Sequence, residues 1–466
     1  MKNILIKNSL ITFVALSAFG GSQLIFNIFV GKFFGPEFLG ESLLVINTSF
    51  LISFFLTSGL VPSGTKYVSE SLGQKNLKKS KEFFSISFFI CFALLFLAIL
   101  IVLLFGKNVI NILNIKESLL IPFTIIFIFY TFYIFFRGMF YSFNKILEYT
   151  IMEVISNFIF LIMLAYVLIT RNNLLLPYII IYPIFSFISI LILKKFIVKS
   201  FSKKNFKKII EYSLISFIGT FSSQARIRLS ILFPSFFLPL QLIGYFGAAF
   251  TFLNLFYYLP RTFSMVINPL ISFSYGQKNK KNIKKIFGLT YKYLIIYSFI
   301  IMGCTIIVSE YILKLFFGET YEVVKIPLQI LCISVILTII SSPALSTLSG
   351  TKYVSIPNIS SLTGLFLSII SWIILIPKLG LIGISLGFLA GTTIEAIIPL
   401  YFVRKKFDVD LHLFLIFKQC MAFGLCYILF KNNDLFFLIS FVVLSIFINI
   451  KEAIRLIKLI INARRN

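Results

Sequence analysis

Fourteen apolar stretches, most of them close to twenty residues long, limit the fold of this chain more than any other feature of its sequence. They lie at 9–30, 43–62, 83–105, 119–141, 151–170, 174–193, 212–234, 242–268, 286–308, 326–346, 359–376, 381–403, 413–430 and 435–450. An α-helix needs roughly 20 apolar residues to cross a bilayer core about 30 Å thick. Hydrophobic residues make up 59% of the chain, more than a soluble protein of this length can hide from water. The pattern therefore predicts an all-α polytopic membrane protein with about 14 transmembrane helices.

Lysine and arginine are concentrated in every second gap between these stretches. The richest gaps are 75–81, 194–208 and 278–285, and a further basic segment follows residue 450. Segments next to membrane spans that carry such an excess stay in the cytoplasm. We therefore expect both the N and C termini to be cytoplasmic, in a multi-pass protein of the bacterial cytoplasmic (inner) membrane. The net charge of +27 then predicts contact with anionic membrane lipids and no nucleic-acid partner.

A repeated motif indicates how the helices are organised. The sequence SLGQKN at 71–76 returns as SYGQKN at 274–279, and each copy is followed by lysines and an apolar stretch. Six stretches separate the copies, so both halves have the same orientation in the membrane. We expect two parallel six-helix lobes, 1–200 and 201–406, and a C-terminal helix pair with a basic tail at 407–466. Parallel lobes of this kind support alternating access to a site between them.

No sequence signature of catalysis is present. The chain lacks the phosphate-binding loop, the zinc-protease motif and the nucleophile elbow, and its loops are too short for a soluble catalytic domain. The five cysteines are scattered without metal-ligand spacing. We therefore expect a protein that is not an enzyme and that has no metal site and no cofactor.

Ionisable residues inside the apolar stretches are the best candidates for function, because a charge near the bilayer centre costs about 2.5–3.5 kcal/mol. Arg226 and Arg228 lie in the seventh stretch, Arg261 in the eighth and Arg137 in the fourth. Glu395 in the twelfth is the one acid that we expect to be embedded, and it is the candidate for ion coupling. Cations therefore outnumber anions, which favours an anionic ligand.

Each candidate also has a structural interpretation. Arg226 and Arg228 lie about 200° apart around a regular helix, so we expect only one to face a cavity, while the other braces a neighbouring helix or pairs with Glu395. Arg137 either lines the cavity or extends to the headgroups. The polar residues Gln23, Asn27 and Gln224 either bind a head group or join helices. Glu153, near the end of its stretch, is expected at the membrane interface.

A series of ordered motifs resembles one family over essentially the whole chain. The motifs are Phe34-Gly35-Pro36-Glu37-Phe38-Leu39-Gly40, Gly59-Leu60 with Lys66-Tyr67-Val68, Gly244-Tyr245-Phe246-Gly247-Ala248-Ala249, Phe316-Phe317-Gly318-Glu319-Thr320-Tyr321 and Ile376-Pro377-Lys378-Leu379-Gly380-Leu381-Ile382-Gly383. They resemble the polysaccharide (O-antigen, Wzx-type) flippases of the MATE-like exporter superfamily. Many members of that family carry an acid beside the arginine of the seventh helix, where this chain has Gln224 and Ala225.

This resemblance implies a flippase that moves an undecaprenyl-pyrophosphate-linked oligosaccharide out of the cytoplasmic leaflet. The implied partners are this polyprenyl-pyrophosphate-linked glycan, membrane lipids and polysaccharide assembly proteins. On this hypothesis the pyrophosphate binds Arg261 and one of Arg226 and Arg228. The alternatives are a peptidoglycan-precursor flippase, a cation-coupled multidrug antiporter and, from another class, a membrane glycosyltransferase or polymerase.

Overall fold

A computed structural model describes residues 2–112, 115–198, 202–256, 267–268, 270–430 and 434–448, and all regular secondary structure in these ranges is helical. The helices are α1 (Lys2–Phe33), α2 (Pro36–Thr57), α3 (Leu60–Gly73), α4 (Leu77–Ile112), α5 (Leu120–Ser142), α6 (Ile146–Thr170), α7 (Leu176–Leu193), α8 (Lys203–Leu232), α9 (Leu240–Phe256), α10 (Lys280–Ile307), α11 (Ser309–Phe317), α12 (Lys325–Ser349), α13 (Ser355–Leu379), α14 (Leu381–Phe407), α15 (Leu413–Phe430) and α16 (Asp434–Ile448). The predicted all-α class is confirmed over the described residues.

Each predicted membrane stretch except 43–62 lies largely on a single helix over its described residues. Ten of the described helices are long and apolar enough to cross a membrane, whereas α9, α15 and α16 are apolar but shorter. The prediction of fourteen spans with cytoplasmic termini therefore stays a prediction. One boundary was wrong, because the stretch 43–62 is not a single helix. The chain leaves α2 at Thr57 and starts α3 at Leu60, just before Pro62, which has no backbone N–H to donate.

The helices form two groups by their packing. In the N-terminal group (α1–α7), α1 packs on α6, α2 on α5 and α3 on α4. In the C-terminal group (α8–α14), α14 packs on α12 and α13, and α13 also packs on α8. The groups meet where α2 contacts α8 and α9 and where α1 contacts α9, while the α15–α16 pair lies against α10. The division into domains at 1–200, 201–406 and 407–466 remains a proposal.

The two copies of the repeated motif adopt the same backbone geometry. Lys75 and Lys278 are left-handed, with φ of 56° and 55°. The backbone N–H groups of Asn76 and Asn279 each donate to the carbonyl five residues earlier, at 2.9 Å in both copies. Their side-chain oxygens each accept from the N–H three residues later, at 3.0 Å in both. Each copy therefore ends one helix and caps the next.

The two groups touch most closely at the end of α2 opposite these lysine-rich turns. We call the end that carries the turns at 75–81 and 278–285 the lysine-rich face, and the other end the lysine-poor face. Gly40 on α2 and Gly244 on α9 cross so closely that a Cβ on either would overlap backbone of the other helix. Nearby, the Tyr321 hydroxyl donates to the Gly31 carbonyl at 3.0 Å. Backbone contact thus joins the groups at the lysine-poor face.

Candidate functional site

The side chain of Arg226 is buried and paired inside the C-terminal group. Its side chain is only 6% exposed and forms an ion pair with Glu395 on α14. Its Nη1 donates to Thr392 Oγ1 at 2.5 Å, and its guanidinium lies 4.8 Å from the ring centroid of Phe388. The other oxygen of Glu395 accepts from the Ser361 hydroxyl on α13 at 2.7 Å. The buried Nε of Arg226 has no hydrogen-bond partner, but its charge is neutralised by Glu395 within the C-terminal group, so this arginine offers little to an outside anion.

Arg228 points the other way, into the N-terminal group. Its Nη1 donates to Asn47 Oδ1 on α2 at 3.1 Å, and its guanidinium lies 4.9 Å from the ring centroid of Phe50 and 5.8 Å from that of Phe54. It is half-buried, and its buried Nε has no hydrogen-bond partner. No acidic residue in the described ranges forms an ion pair with it. Arg228 thus places an uncompensated cation where the two helix groups meet.

Glu153 corrects one expectation from the sequence. It was expected at the membrane interface, but it is 1% exposed inside the N-terminal group. One carboxylate oxygen accepts from the Tyr133 hydroxyl at 2.9 Å and from Asn157 Nδ2 at 3.2 Å. The other oxygen is buried without a partner. Glu153 is therefore a second embedded acid, in addition to Glu395. Its burial is costly, because a buried carboxylate is stable only when its oxygens are hydrogen-bonded.

A small cavity opens beside Glu153. The Ser22 hydroxyl reaches the Asn157 side-chain oxygen at 2.5 Å, and the buried amide nitrogen of Gln23 has no partner. The space open to a water centre is about 10 Å³, at the threshold for one water molecule. The remaining lining is largely aromatic and apolar: Phe19, Tyr133, Phe160, Tyr178, Ile181, Tyr182 and Phe185. Gln23 therefore belongs to this enclosed polar site, which has room for a proton, a water or a small cation.

Arg137 lies between this enclosed site and the lysine-rich face. Its guanidinium is 5.9 Å from the ring centroid of Tyr149. It is half-buried and forms no ion pair within the described ranges. Its position one helical turn from Tyr133 associates it with the Glu153 site.

The structure gives less support to the remaining candidates for substrate binding, Asn27, Gln224 and Arg261. Asn27 donates from Nδ2 to Thr251 Oγ1 at 2.8 Å and so joins α1 to α9, while its Oδ1 is buried without a partner. Gln224 is half-buried and forms no hydrogen bond with a described residue. Arg261 lies outside the described residues, so its role in binding stays a prediction.

An aromatic stack connects Arg228 to the Glu153 site. Phe50, which lies under Arg228, stacks on Tyr130 with ring centroids 3.6 Å apart. Tyr130 stacks in turn on Tyr133 at 5.5 Å, and the Tyr133 hydroxyl donates to Glu153. Such packed rings have few alternative arrangements. The cation at the group junction and the buried acid are thus the ends of one continuous set of contacts.

Within the described residues no cluster of three His, Cys, Asp or Glu side chains could hold a metal ion. Arg228 and Asn47 have the chemistry to bind an anionic head group, and the buried carboxylate of Glu153 has the chemistry to bind a proton or a monovalent cation.

Comparisons with known proteins identify a family match over part of the chain and transporters of similar fold. Residues 238–374 match the MatE family model, whereas no curated protein sequence matches the chain. The lipid II flippase MurJ, in an inward closed conformation, is 18% identical with a TM-score of 0.73, covering 96% of this chain and 100% of its own. A multidrug resistance MATE transporter of the MOP superfamily, facing inward, is 13% identical with a TM-score of 0.70, covering 84% and 94%. The Vibrio cholerae MATE transporter VcmN is 15% identical with a TM-score of 0.65, covering 86% and 97%.

Proposed function

We propose that this chain, which has the fold of the MOP-superfamily transporters, is a flippase for an undecaprenyl-pyrophosphate-linked oligosaccharide. The substrate would be a polysaccharide repeat unit, such as that of an O-antigen, carried from the cytoplasmic to the outer leaflet of the cytoplasmic membrane. The single observation that carries this proposal is Arg228. Its guanidinium stands at the junction of the two helix groups and has no acidic partner within the described ranges.

A pyrophosphate is the kind of ligand that such a group binds. Guanidinium binds phosphate oxygens through pairs of parallel hydrogen bonds. The amide of Asn47 holds one edge of Arg228 at 3.1 Å, while the buried Nε lacks a partner. Arg261 would supply the second cation for the pyrophosphate, as the sequence predicts. We no longer propose Arg226 as a pyrophosphate ligand, because Glu395 already neutralises its charge.

Alternating access supplies the transport step. The lysine-rich face would open to the cytoplasm while the Gly40–Gly244 crossing keeps the lysine-poor face closed. Rocking of one helix group against the other would then close the lysine-rich face and open the lysine-poor face. An inside-negative potential favours the outward passage of anionic charge by about 2.3 kcal/mol per charge per 100 mV.

Export of surface polysaccharide in a deletion strain tests the proposal. Lipid-linked intermediates are quantified while the strain is complemented with wild type, Arg228→Ala, Arg228→Lys or Arg171→Ala. Arg171 ends α6 at an exposed turn and serves as the control for losing one arginine. We expect Arg228→Ala to hold intermediates in the cytoplasmic leaflet, Arg228→Lys to export partly and Arg171→Ala to resemble wild type. Wild-type export by Arg228→Ala at equal protein abundance would remove Arg228 from the proposal.

A peptidoglycan-precursor flippase would need the same cation, because its substrate also carries a pyrophosphate. The likeness to MurJ supports this alternative as far as fold allows. Rescue of a strain depleted of its lipid II flippase distinguishes the two substrates. Rescue without any effect on surface polysaccharide would favour the peptidoglycan precursor.

Glu153 favours a second candidate, a cation-coupled antiporter of the same superfamily. Such a mechanism needs an acid that binds a proton or cation, and Glu153 is buried with one oxygen unsatisfied beside a cavity with room for one water molecule. Susceptibility to cationic drugs, measured with wild type and Glu153→Gln, tests this function. Drug resistance that depends on Glu153 while polysaccharide export is unaffected would favour the antiporter. Export that itself depends on Glu153 and on an ion gradient would instead make it the coupling site of the flippase.

A further inference from the structure

We propose that a basic cleft between α10, the segment 408–412 and the start of α15 binds the phosphate headgroup of an anionic membrane lipid. This cleft is separate from the transport site at the group junction, and its role does not depend on which substrate is carried. It has a volume of about 700 Å³ and lies at the lysine-rich face, beside the helix pair α15–α16.

The charge of the cleft is positive. Four cationic side chains line it, against two carboxylates: Lys284, Lys292, Arg404 and Lys418 against Asp408 and Asp410. Polyanionic headgroups are bound in such basic pockets between membrane helices on the cytoplasmic side. The excess of cations therefore favours a phosphate ligand over a cationic or neutral one.

Both carboxylates are already engaged. Asp408 accepts from Lys284 Nζ at 2.9 Å, and this hydrogen bond holds the pKa of Asp408 below its usual value. Asp410 accepts from the backbone N–H of His412 at 2.9 Å and lies 3.1 Å from the His412 imidazole. These contacts fix the loop, and the side chain of Arg404 forms no hydrogen bond or ion pair in the described ranges. The same holds for Lys418, whose Nζ lies 4.6 Å from the ring centroid of Phe414.

The cleft is fixed in shape by its backbone and core contacts. Asp408 and His412 are both left-handed, with φ of 49° and 42°, and the buried Val409 anchors the segment between them. The His412 ring stacks on Tyr291 of α10, with centroids 6.5 Å apart. The first N–H groups of the 18-residue helix α15 border the same space, where a helix N-terminus favours an anion.

Apolar surface next to these charges indicates a lipid and not a soluble phosphate compound. Leu413 is 61% exposed and Phe414 is 69% exposed, and both line the cleft together with Ile448. In a membrane these side chains would face acyl chains. A ligand with a phosphate beside hydrocarbon chains satisfies both parts of the cleft at once. An anionic phospholipid of the cytoplasmic leaflet has this chemistry.

Lipid binding to the purified full-length protein in neutral detergent tests the inference. Native mass spectrometry would compare retention of phosphatidylglycerol, phosphatidylcholine with the same acyl chains, and inorganic phosphate. The cleft variant is Arg404→Gln/Lys418→Gln. The matched control is Lys405→Gln/Lys406→Gln, which removes the same amount of charge beside Arg404 at the end of α14. These two lysines do not line the cleft, and they contact Tyr401 and Tyr353.

We expect wild type and control to retain phosphatidylglycerol equally and in preference to phosphatidylcholine, and the cleft variant to bind it about tenfold more weakly. Phe414→Ala, which keeps every charge, should weaken binding of the lipid more than that of inorganic phosphate. This second variant keeps the test decisive if the double variant does not fold. Equal losses in cleft variant and control would show diffuse surface attraction and overturn the proposal. Binding of inorganic phosphate with no preference for the lipid would overturn the lipid assignment.

Discussion

Arg226 and Arg228 lie two residues apart on α8 and direct their guanidinium groups into different halves of the protein. Arg226 reaches Glu395 within the C-terminal group, and Arg228 reaches Asn47 in the N-terminal group. The spacing of about 200° around the helix accounts for this divergence. One arginine thus stabilises its own helix group, and the other is placed to bind at the junction.

The first prediction concerns the buried pair. Arg226→Ala leaves the carboxylate of Glu395 without its cation in a region where both side chains are largely buried. We expect it to destabilise the protein by about 3–5 kcal/mol. Replacing both partners by apolar residues, as in Arg226→Met/Glu395→Leu, should recover most of this loss. Thermal unfolding in detergent measures the difference, and a double variant no more stable than the single one would contradict the prediction.

The second prediction separates Arg228 from Arg226. Arg228→Ala removes one hydrogen bond and contacts with two aromatic rings, which are worth about 1–2 kcal/mol in total. We expect a small loss of stability but a loss of glycan export of at least about tenfold, because each 1.4 kcal/mol of lost substrate interaction is tenfold. Unfolding and export are measured on the same variants. Equal effects of both substitutions on stability would mean that Arg228 is also a structural residue.

The third prediction concerns the helix crossing at the lysine-poor face. Gly40→Ala adds a methyl group that would overlap the Leu240 carbonyl, so the two groups should separate there at a cost of about 1–3 kcal/mol. Labelling of Thr251→Cys by a membrane-impermeant thiol reagent, in a background without the five native cysteines, should become faster. Gly21→Ala, where a methyl group meets open space, is the control. Unchanged labelling in Gly40→Ala would show that the crossing does not hold this face closed.

The fourth prediction concerns pH. Glu310 on α11 accepts hydrogen bonds from Lys314 and Lys325, each at 2.7 Å, and these bonds lower its pKa from 4.5 to about 2. A carboxyl whose pKa is lowered on folding stabilises the protein fully above pH 4.5. This contribution is lost as the pH falls from 4.5 towards 2.

Glu310→Gln should therefore remove stability at neutral pH, and its deficit relative to wild type should shrink across that window. Thermal unfolding as a function of pH measures it. Glu319→Gln, at an exposed position without an ion pair to a described residue, should follow wild type throughout. A deficit for Glu310→Gln that is constant down to pH 2 would show that its carboxylate is not held by the lysines.

Hydropathy predicted the helices, because the run of apolar residues that a spanning helix needs can be read directly from the sequence. The break at Ser58 and Gly59 could not be predicted from hydropathy, since the stretch is apolar on both sides of it. The burial of Glu153 was missed for a different reason. It follows the start of α6 by only seven residues, which suggested the interface, but Tyr133 from another helix covers it. Burial of this kind depends on tertiary packing.

The turns at Asn76 and Asn279 also bear on how the chain is synthesised. Each is closed by hydrogen bonds that span at most five residues, so it can form as soon as that short segment leaves the ribosome. The lysines that follow each turn resist translocation, and the helix hairpin is thereby oriented before later segments are made. Each half of the protein thus carries its own local turn and its own positively charged segment for orienting its helices.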